Sequence, residues 1–376
     1  MMDTLLILNA GSSSVKFQLF ACNAGLDRLA TGSVTGIGTA PVMAATRDDT
    51  GEKLKTDMPV EVTQKDGVRA ILDWINDSGA GWHITAVVHR FVHGGEEFIE
   101  PTLITSDVFH KLKKLIPLAP LHQQHHLAAV GVVMRLMPMI PQVACFDTAF
   151  HANRDPKLVN FAIPNDITEK GVRRYGFHGL SYAWAAQTLK KDHPDLYTGR
   201  VIVAHLGNGA SLCAMKNGKS VDTSMGMTVV DGLPMGTRCG AVDAGVIFYM
   251  IRELGMSVED VERTLYTKSG LKGMSGISND VKDLLDSSDP KAKYALDYFA
   301  LQIAKFVSGM AVSIGGLDAL VFTGGIGEHA EPVRKAVLEH LKFMNIPRVM
   351  IIPANEERYM AEQAQSCLQK CGVKHA

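Results

Sequence analysis

Two short runs hold residues that can handle phosphate. Asn9-Ala10-Gly11-Ser12-Ser13-Ser14 lies between apolar, strand-like residues 5–8 and 15–20, and His205-Leu206-Gly207-Asn208-Gly209 lies in the same setting between residues 201–204 and 210–216. Small residues let the main chain close on an anion, and hydroxyls and amide N–H groups donate to phosphate oxygens. Ser12 and Ser14 offer hydroxyls in the first run. Lys16 alternates with Val15 and Phe17, so it leaves the apolar face of its strand. Asn9, at the strand end, can hold a water on Mg²⁺. Most nucleotide-binding loops lead into a helix, whereas both of these turn back into a strand. Ser14 and Ser211 are read as equivalent positions about half the chain apart, which predicts an internal duplication.

Charged side chains elsewhere suit an anionic substrate. Arg90, in VVHRFVHGGE, ends a strand before Gly94-Gly95, where a guanidinium either grips a carboxylate or phosphate bidentately or makes a surface ion pair. Arg238, in MGTRCG, occupies a glycine-rich loop that suits an active site better. Asp147 ends the apolar run VACF and either caps the next turn or faces a cleft. His178, in YGFHG, is structural or catalytic. His122 and His126 have the i, i+4 spacing of a helical zinc pair, but no acidic partner completes such a motif, so helix-end and cleft roles are favoured. A third glycine turn, Gly324-Gly325-Ile326-Gly327-Glu328, follows the strand ALVF and precedes a helix opening at Glu331-Pro332.

The elements that must position these residues alternate between strand and helix. Strand-like runs at residues 85–92, 142–146, 201–206 and 319–323 are separated by helical periodicity, clearest over residues 294–314. This pattern predicts α/β units with mixed sheets. A chain of 376 residues suits two domains, with the change expected near Asp147-Thr148. An amphipathic C-terminal helix over residues 357–371 is expected to return to the first domain. Lys and Arg number 38 against 39 Asp and Glu, with no basic stripe, which argues against nucleic acid or a membrane surface as partner. The N-terminal stretch lacks the basic start and long apolar run of a signal peptide. The six cysteines show no zinc spacing and mostly sit among apolar residues, as reduced core thiols do, so the expected location is cytoplasmic.

Taken in order, NAGSSSVKFQL, VVHRFVHGGE, LAPLH, FDTAFH, RRYGFHGLS, AHLGNGASL, DTSMG, DGLPMGTRCG, FTGGIGE and NEE resemble the acetokinase family from Asn9 to Glu357. The resemblance implies two duplicated ribonuclease H-like (actin-like ATPase) domains, residues 1–147 with a C-terminal helix 357–376 and residues 148–356, in a homodimer. It implies Mg²⁺-dependent, reversible phosphoryl transfer from ATP to acetate, giving acetyl phosphate and ADP, with Mn²⁺ able to replace Mg²⁺.

By motif, Asn9 and Glu356 hold the metal. Ser12, Ser14, Lys16 and His205, Leu206, Gly207, Asn208 and Gly209 meet the phosphates. Asp280, Val281 and Lys282, with Gly325, Ile326, Gly327, Glu328 and His329, surround adenosine. Arg90 binds the acyl carboxylate, Asp147 is the residue the family treats as catalytic, and His178 and Arg238 stabilise the transition state; because a carboxylate nucleophile needs no strong base, Asp147 is read as orienting an arginine or the metal shell. Val92, Leu121, His122, Phe177 and Val229 form the acyl pocket. The chain departs from the family pattern at Met227-Thr228-Val229, at Lys282, at His329 and in a short interval between Glu328 and Glu356. Propionate or another short-chain acid is the alternative substrate, and a chaperone- or actin-like ATPase the alternative class.

Overall fold

The computed structural model describes residues 1–373; Lys374, His375 and Ala376, the end of the expected C-terminal segment, lie outside the described residues. The chain divides into two compact units, Met1–Ala149 with the described residues from Asn355 onward, and Phe150–Ala354.

The first unit is built on strands β1 (Met2–Ala10), β2 (Ser14–Ala21), β3 (Arg28–Thr35), β4 (Val42–Arg47), β5 (Lys53–Asp57), β6 (Trp82–Phe91), β7 (Thr102–Leu103) and β8 (Gln142–Phe146). They form one mixed sheet in the order β5-β4-β3-β2-β1-β6-β8-β7. β1 pairs antiparallel with β2 and parallel with β6, and β6 pairs parallel with β8. Leu5, Leu6, Ile7 and Leu8 are buried on both faces, as a central strand of this kind requires. On β2, Val15, Phe17 and Leu19 are buried while Lys16 is exposed, as alternation predicts.

One face packs on the helix Gln64–Asp77 through Val68, Ile71 and Ile75. Thr63 and Asp66 close a reciprocal cap at its start, a device worth about 1 kcal/mol. Near the other edge Phe91, Phe98 and Phe146 pack with Leu127 and Val130 of the helix Gln123–Leu136. Burying each of these rings stabilises the unit by about 2–3 kcal/mol. The C-terminal helix Glu356–Lys370 buries Met360, Ala361, Ala364 and Leu368, and Arg358 Nη2 donates to the Gly25 carbonyl at 2.9 Å.

The second unit repeats the plan with β9 (Arg200–Leu206), β10 (Ala210–Lys216), β11 (Lys219–Thr223), β12 (Ala319–Thr323) and β13 (Arg348–Ile351). Its order, β11-β10-β9-β12-β13, matches β3-β2-β1-β6-β8 strand for strand and in orientation. The duplication expected from the two glycine hairpins is therefore carried by the sheets themselves. The helix Pro290–Ile314 is long and apolar enough to cross a membrane by length and composition; in this fold Ala295, Phe299, Ile303, Val307 and Met310 are buried in the second unit.

Two expectations need correction. Ser14 and Ser211 are not equivalent, because the first hairpin has one more turn residue. Ala10 faces Val15 and Asn9 faces Lys16, whereas Leu206 faces Ala210 and His205 faces Ser211. The Gly11 N–H donates to the Ser14 carbonyl and the Gly207 N–H to the Gly209 carbonyl, so Ser14 matches Gly209 and Lys16 matches Ser211. The run after β12 is also not an open turn: Gly324–His329 is itself a short helix that starts directly from Thr323. Gly324 has φ +78°, and a Cβ there would lie 2.8 Å from the Leu206 carbonyl oxygen, so only glycine lets the helix begin so close to β9.

Candidate active site

In the first unit, strand pairing brings Arg90 and Asp147 together. Arg90 is the penultimate residue of β6, opposite Cys145 of β8, and the Asp147 N–H donates to the Phe91 carbonyl at 2.9 Å. Arg90 Nε then reaches both Asp147 carboxylate oxygens, at 3.2 and 3.1 Å, and Nη2 reaches Oδ2 at 2.9 Å. Nη1 donates to Glu356 Oε2 at 2.9 Å, from the first residue of the C-terminal helix. The Asp147 carboxylate is thus turned onto Arg90 and clamps it. Burial works against the charged guanidinium, but Asp147 and Glu356 more than offset it and hold Arg90 above its ordinary range. Burial pushes the Asp147 carboxyl up, against the opposing pull of Arg90.

Around the first hairpin, Asn9 is half-buried and Lys16 lines an open groove of about 460 Å³ with Lys53, Lys55 and Glu357. Gln64 Nε2 donates to the Gly11 carbonyl, fixing the turn to the helix Gln64–Asp77, a contact that no sequence signal announced. Ser12 is exposed and Ser14 half-buried. Of the acyl-pocket residues in this unit, Val92 is buried and Leu121 exposed, and His122 precedes the helix Gln123–Leu136. Among the described residues no group of three or more His, Cys, Asp or Glu side chains is placed to hold a metal. His126 packs on Phe91 with ring centroids 5.5 Å apart. Burial pushes His89 and His93 down to about 4 and His126 well below its ordinary value, so these imidazoles are neutral.

In the second unit three predicted groups converge. His178 sits at the N-terminal end of the helix Gly179–Asp192 in left-handed conformation, φ +57°, an unusual backbone state for a residue with a side chain. Its ring stacks on His205 at 4.4 Å and 26°, and its Nδ1 lies 2.8 Å from Ser211 Oγ. Ser211 Oγ in turn meets the Tyr182 hydroxyl, and Ser181 Oγ lies 2.8 Å from His205 Nδ1. A Cβ placed on Gly209 would lie 3.1 Å from His178 Nε2 and 3.7 Å from Arg238 Nη1. His178, Arg238 and the second glycine turn therefore share one small space.

Among the described residues Arg238 has no carboxylate partner: Nη1 donates to the Val229 carbonyl at 3.1 Å and touches Met235 Sδ at 3.5 Å. Burial pulls its guanidinium below the ordinary range. A half-buried cation whose described hydrogen-bond partners are neutral can receive an anion. Val229, half-buried, is thus tied directly to Arg238, and Phe177 is fully buried with its carbonyl 3.0 Å from His151 Nε2.

A cavity of about 500 Å³ in the same unit is lined by Gly207, Asn208, Asp280, Val281, Lys282, Gly325, Ile326 and His329, all expected from the sequence. Asn279, Leu285, Asp286 and Ala330 also line it and were missed. Leu206 and Gly327 are buried and do not line it. Glu328 is turned to the backbone, where Oε1 accepts from the N–H groups of Gly324 and Ala354, each at 2.9 Å. The missed Ser211 had a signal available: it is the one hydroxyl in β10, among wholly apolar neighbours.

The Acetokinase family model matches residues 4–366. The acetate kinase of Rhodopseudomonas palustris (strain ATCC BAA-98 / CGA009) is 44% identical over 354 residues, covering 92% of this chain and 88% of that protein. The crystal structure of Porphyromonas gingivalis acetate kinase is 36% identical with a TM-score of 0.87, covering 97% of this chain and 100% of that one. A propionate kinase from Francisella tularensis subsp. tularensis SCHU S4 is 36% identical with a TM-score of 0.89, covering 96% and 99%. A duplicated mixed-sheet fold, a glycine turn facing an arginine and a histidine, and sequence similarity over nearly the whole length lead to one statement: the chain belongs to the acetokinase family.

Proposed function

We propose that this protein transfers the γ-phosphoryl group of ATP to acetate, reversibly and in line, giving acetyl phosphate and ADP. The observation that carries the reading is the bare guanidinium of Arg238 beside His178 Nε2 at the Gly207-Asn208-Gly209 turn. A carboxylate oxygen is already a nucleophile near neutral pH, so no strong base is needed. The difficulty is bringing one anion up to another. Arg238 and His178 donate to the oxygens of the moving phosphoryl group, a contribution worth roughly 10³–10⁵ in rate for an arginine in this role.

Arg90, aligned by Asp147, takes the acyl carboxylate, with Val92, Leu121, His122, Phe177 and Val229 around the acyl chain. Lys16, Ser12, Ser14 and the residues from His205 to Gly209 serve the phosphates. The cavity lined by Asp280, Val281, Lys282, Gly325, Ile326 and His329 receives adenosine, with Asn279 and Asp286 added to its rim. A divalent ion, Mg²⁺ with Mn²⁺ as substitute, supplies charge neutralisation of the phosphates. Asn9 and the Glu356 carboxylate would hold it, and so sparse an oxygen donor set would suit Mg²⁺, which keeps most of its waters. The proposed location is the cytoplasm.

A second copy of the chain is the proposed cover for the helix Ala244–Arg252. That helix has no buried residue, and it exposes Val246, Phe248 and Tyr249.

Propionate is the second substrate reading. It is favoured by Val229 in the acyl loop and by similarity to a propionate kinase. ADP formation measured with acetate, propionate, butyrate and no acid tests both readings. Acetate is expected to give the highest kcat/KM, about tenfold above propionate, since one methylene is worth about 1–3 kcal/mol in an apolar pocket. ADP formation at the same rate without any acid would mean a plain ATPase and defeat the proposal.

A further inference from the structure

The side chains behind His178 form a chain of hydroxyls. His178 Nδ1 lies 2.8 Å from Ser211 Oγ, and Ser211 Oγ lies 2.5 Å from the Tyr182 hydroxyl. Both hydroxyl residues are wholly buried. Ser211 is the fully enclosed counterpart of exposed Lys16 in the other hairpin, so the position has been turned from a solvent-facing charge to an internal hydrogen-bond group. Tyr182 lies one turn into the helix that His178 opens, and the His178 carbonyl accepts its N–H at 3.1 Å. The imidazole and the phenol are therefore anchored to the same helix end, with the serine bridging them from β10.

The direction of the protons along this chain follows from chemistry. A phenol is a stronger donor than an alkyl hydroxyl and a weaker acceptor, because its oxygen lone pair is shared with the ring. Tyr182 therefore donates to Ser211, Ser211 spends its hydrogen on His178, and Nδ1 must accept. A neutral imidazole that accepts at Nδ1 carries its proton on Nε2. Nε2 is the nitrogen that faces the Gly209 turn, which Arg238 Nη1 also approaches. We propose that Tyr182 and Ser211 are positioning residues that fix His178 as the Nε2–H tautomer, so that it presents a hydrogen-bond donor to the transferring phosphoryl group without having to be protonated. This rests on the reading of His178 given under the proposed function. It adds a consequence of its own: donation from His178 persists at pH values where an imidazolium would be lost.

The test uses the full-length enzyme with ¹⁵N-labelled histidine. Long-range ¹H–¹⁵N spectra assign the ring tautomers, with His178→Gln identifying the resonance. Wild-type enzyme is expected to show the Nε2–H form of His178. Ser211→Ala is expected to give a mixture of tautomers and to lower kcat by about tenfold, the worth of one oriented hydrogen bond, with the KM for each substrate little changed. Tyr182→Phe, which removes one oxygen and no bulk, is expected to shift the same resonance and lower kcat less. Ser211→Thr, which keeps a hydroxyl, is expected to restore the Nε2–H form.

An Nδ1–H tautomer in the wild type, or an unchanged tautomer in both Ser211→Ala and Tyr182→Phe, would overturn the proposal. The kinetics of His178→Gln separate this from failure of the broader reading. If that variant turns over normally, His178 takes no part in transfer. If it is crippled while the two relay variants keep wild-type spectra, only the relay is wrong.

Discussion

The two arginines singled out by the sequence sit in opposite surroundings. Arg90 is met on every nitrogen by a carboxylate, Asp147 on Nε and Nη2 and Glu356 on Nη1. Arg238 has a main-chain carbonyl and a thioether for company. The first is a cation held in place by carboxylates of its own unit, so an incoming carboxylate would have to share it with them. The second keeps its charge for something that arrives from outside. A guanidinium in a motif thus tells little until its counter-ions are known, because the same residue type can be a structural hub or an open receptor.

The sharpest way to break this comparison is to delete each arginine in turn. Arg238→Ala should lower kcat by about 10³-fold or more while moving the unfolding midpoint in urea little, since it strands no charged partner and only one main-chain carbonyl. Arg90→Ala should also cost stability, about 3–5 kcal/mol, because buried Asp147 then faces half-buried Glu356 unneutralised. Asp147→Asn, which keeps the shape and drops a charge, should fall between. A stable Arg90→Ala protein beside an unstable Arg238→Ala one would reverse the assignment.

A second contrast concerns acid. In the first unit burial holds His89 and His93 down to about 4 and His126 lower still, while in the second His151 is pushed down to about 3. A histidine whose folded value is depressed contributes its full stability above its unfolded value near 6.5, and loses it as the pH falls from there through the folded value. Each of His89 and His93 then accounts for roughly 3 kcal/mol lost between about pH 6.5 and 4. Hydrogen exchange followed across that range should show the first unit opening before the second. Simultaneous opening, or loss from the second unit first, would contradict it.

The smallest expected change separates the units by their surfaces. Phe248→Glu on the helix Ala244–Arg252 should halve the mass seen in sedimentation without altering the local fold, because that helix buries none of its residues within its own unit. An unchanged mass would mean that another face, or no second copy, covers it.

How much of this was legible beforehand differs between strands and contacts. The hairpins, the strand through Arg90, the strand that ends just before Asp147, and the helix Pro290–Ile314 follow from apolar alternation and glycine placement, which are local signals. The nucleotide-type cavity was legible for eight of its lining residues because glycine turns and a helix start mark them. Ser211 was matched to Ser14 because sequence similarity ignores a one-residue difference in turn length, whereas hydrogen-bond register does not. Gln64 and Tyr182 gave no warning, since each acts on a partner that only folding brings near. Glu328, inside a glycine-rich motif, was read as a ligand group and instead binds peptide N–H groups on two segments.

The three-residue turn at Gly207-Asn208-Gly209 has a consequence for anyone surveying this enzyme by mutation. Whatever it offers an incoming guest resides largely in peptide amides, which survive exchange of one side chain for another. A scan that trims side chains would rank the segment as permissive, and adding a single carbon at position 209, where two functional groups already crowd the site, would expose how little tolerance it has.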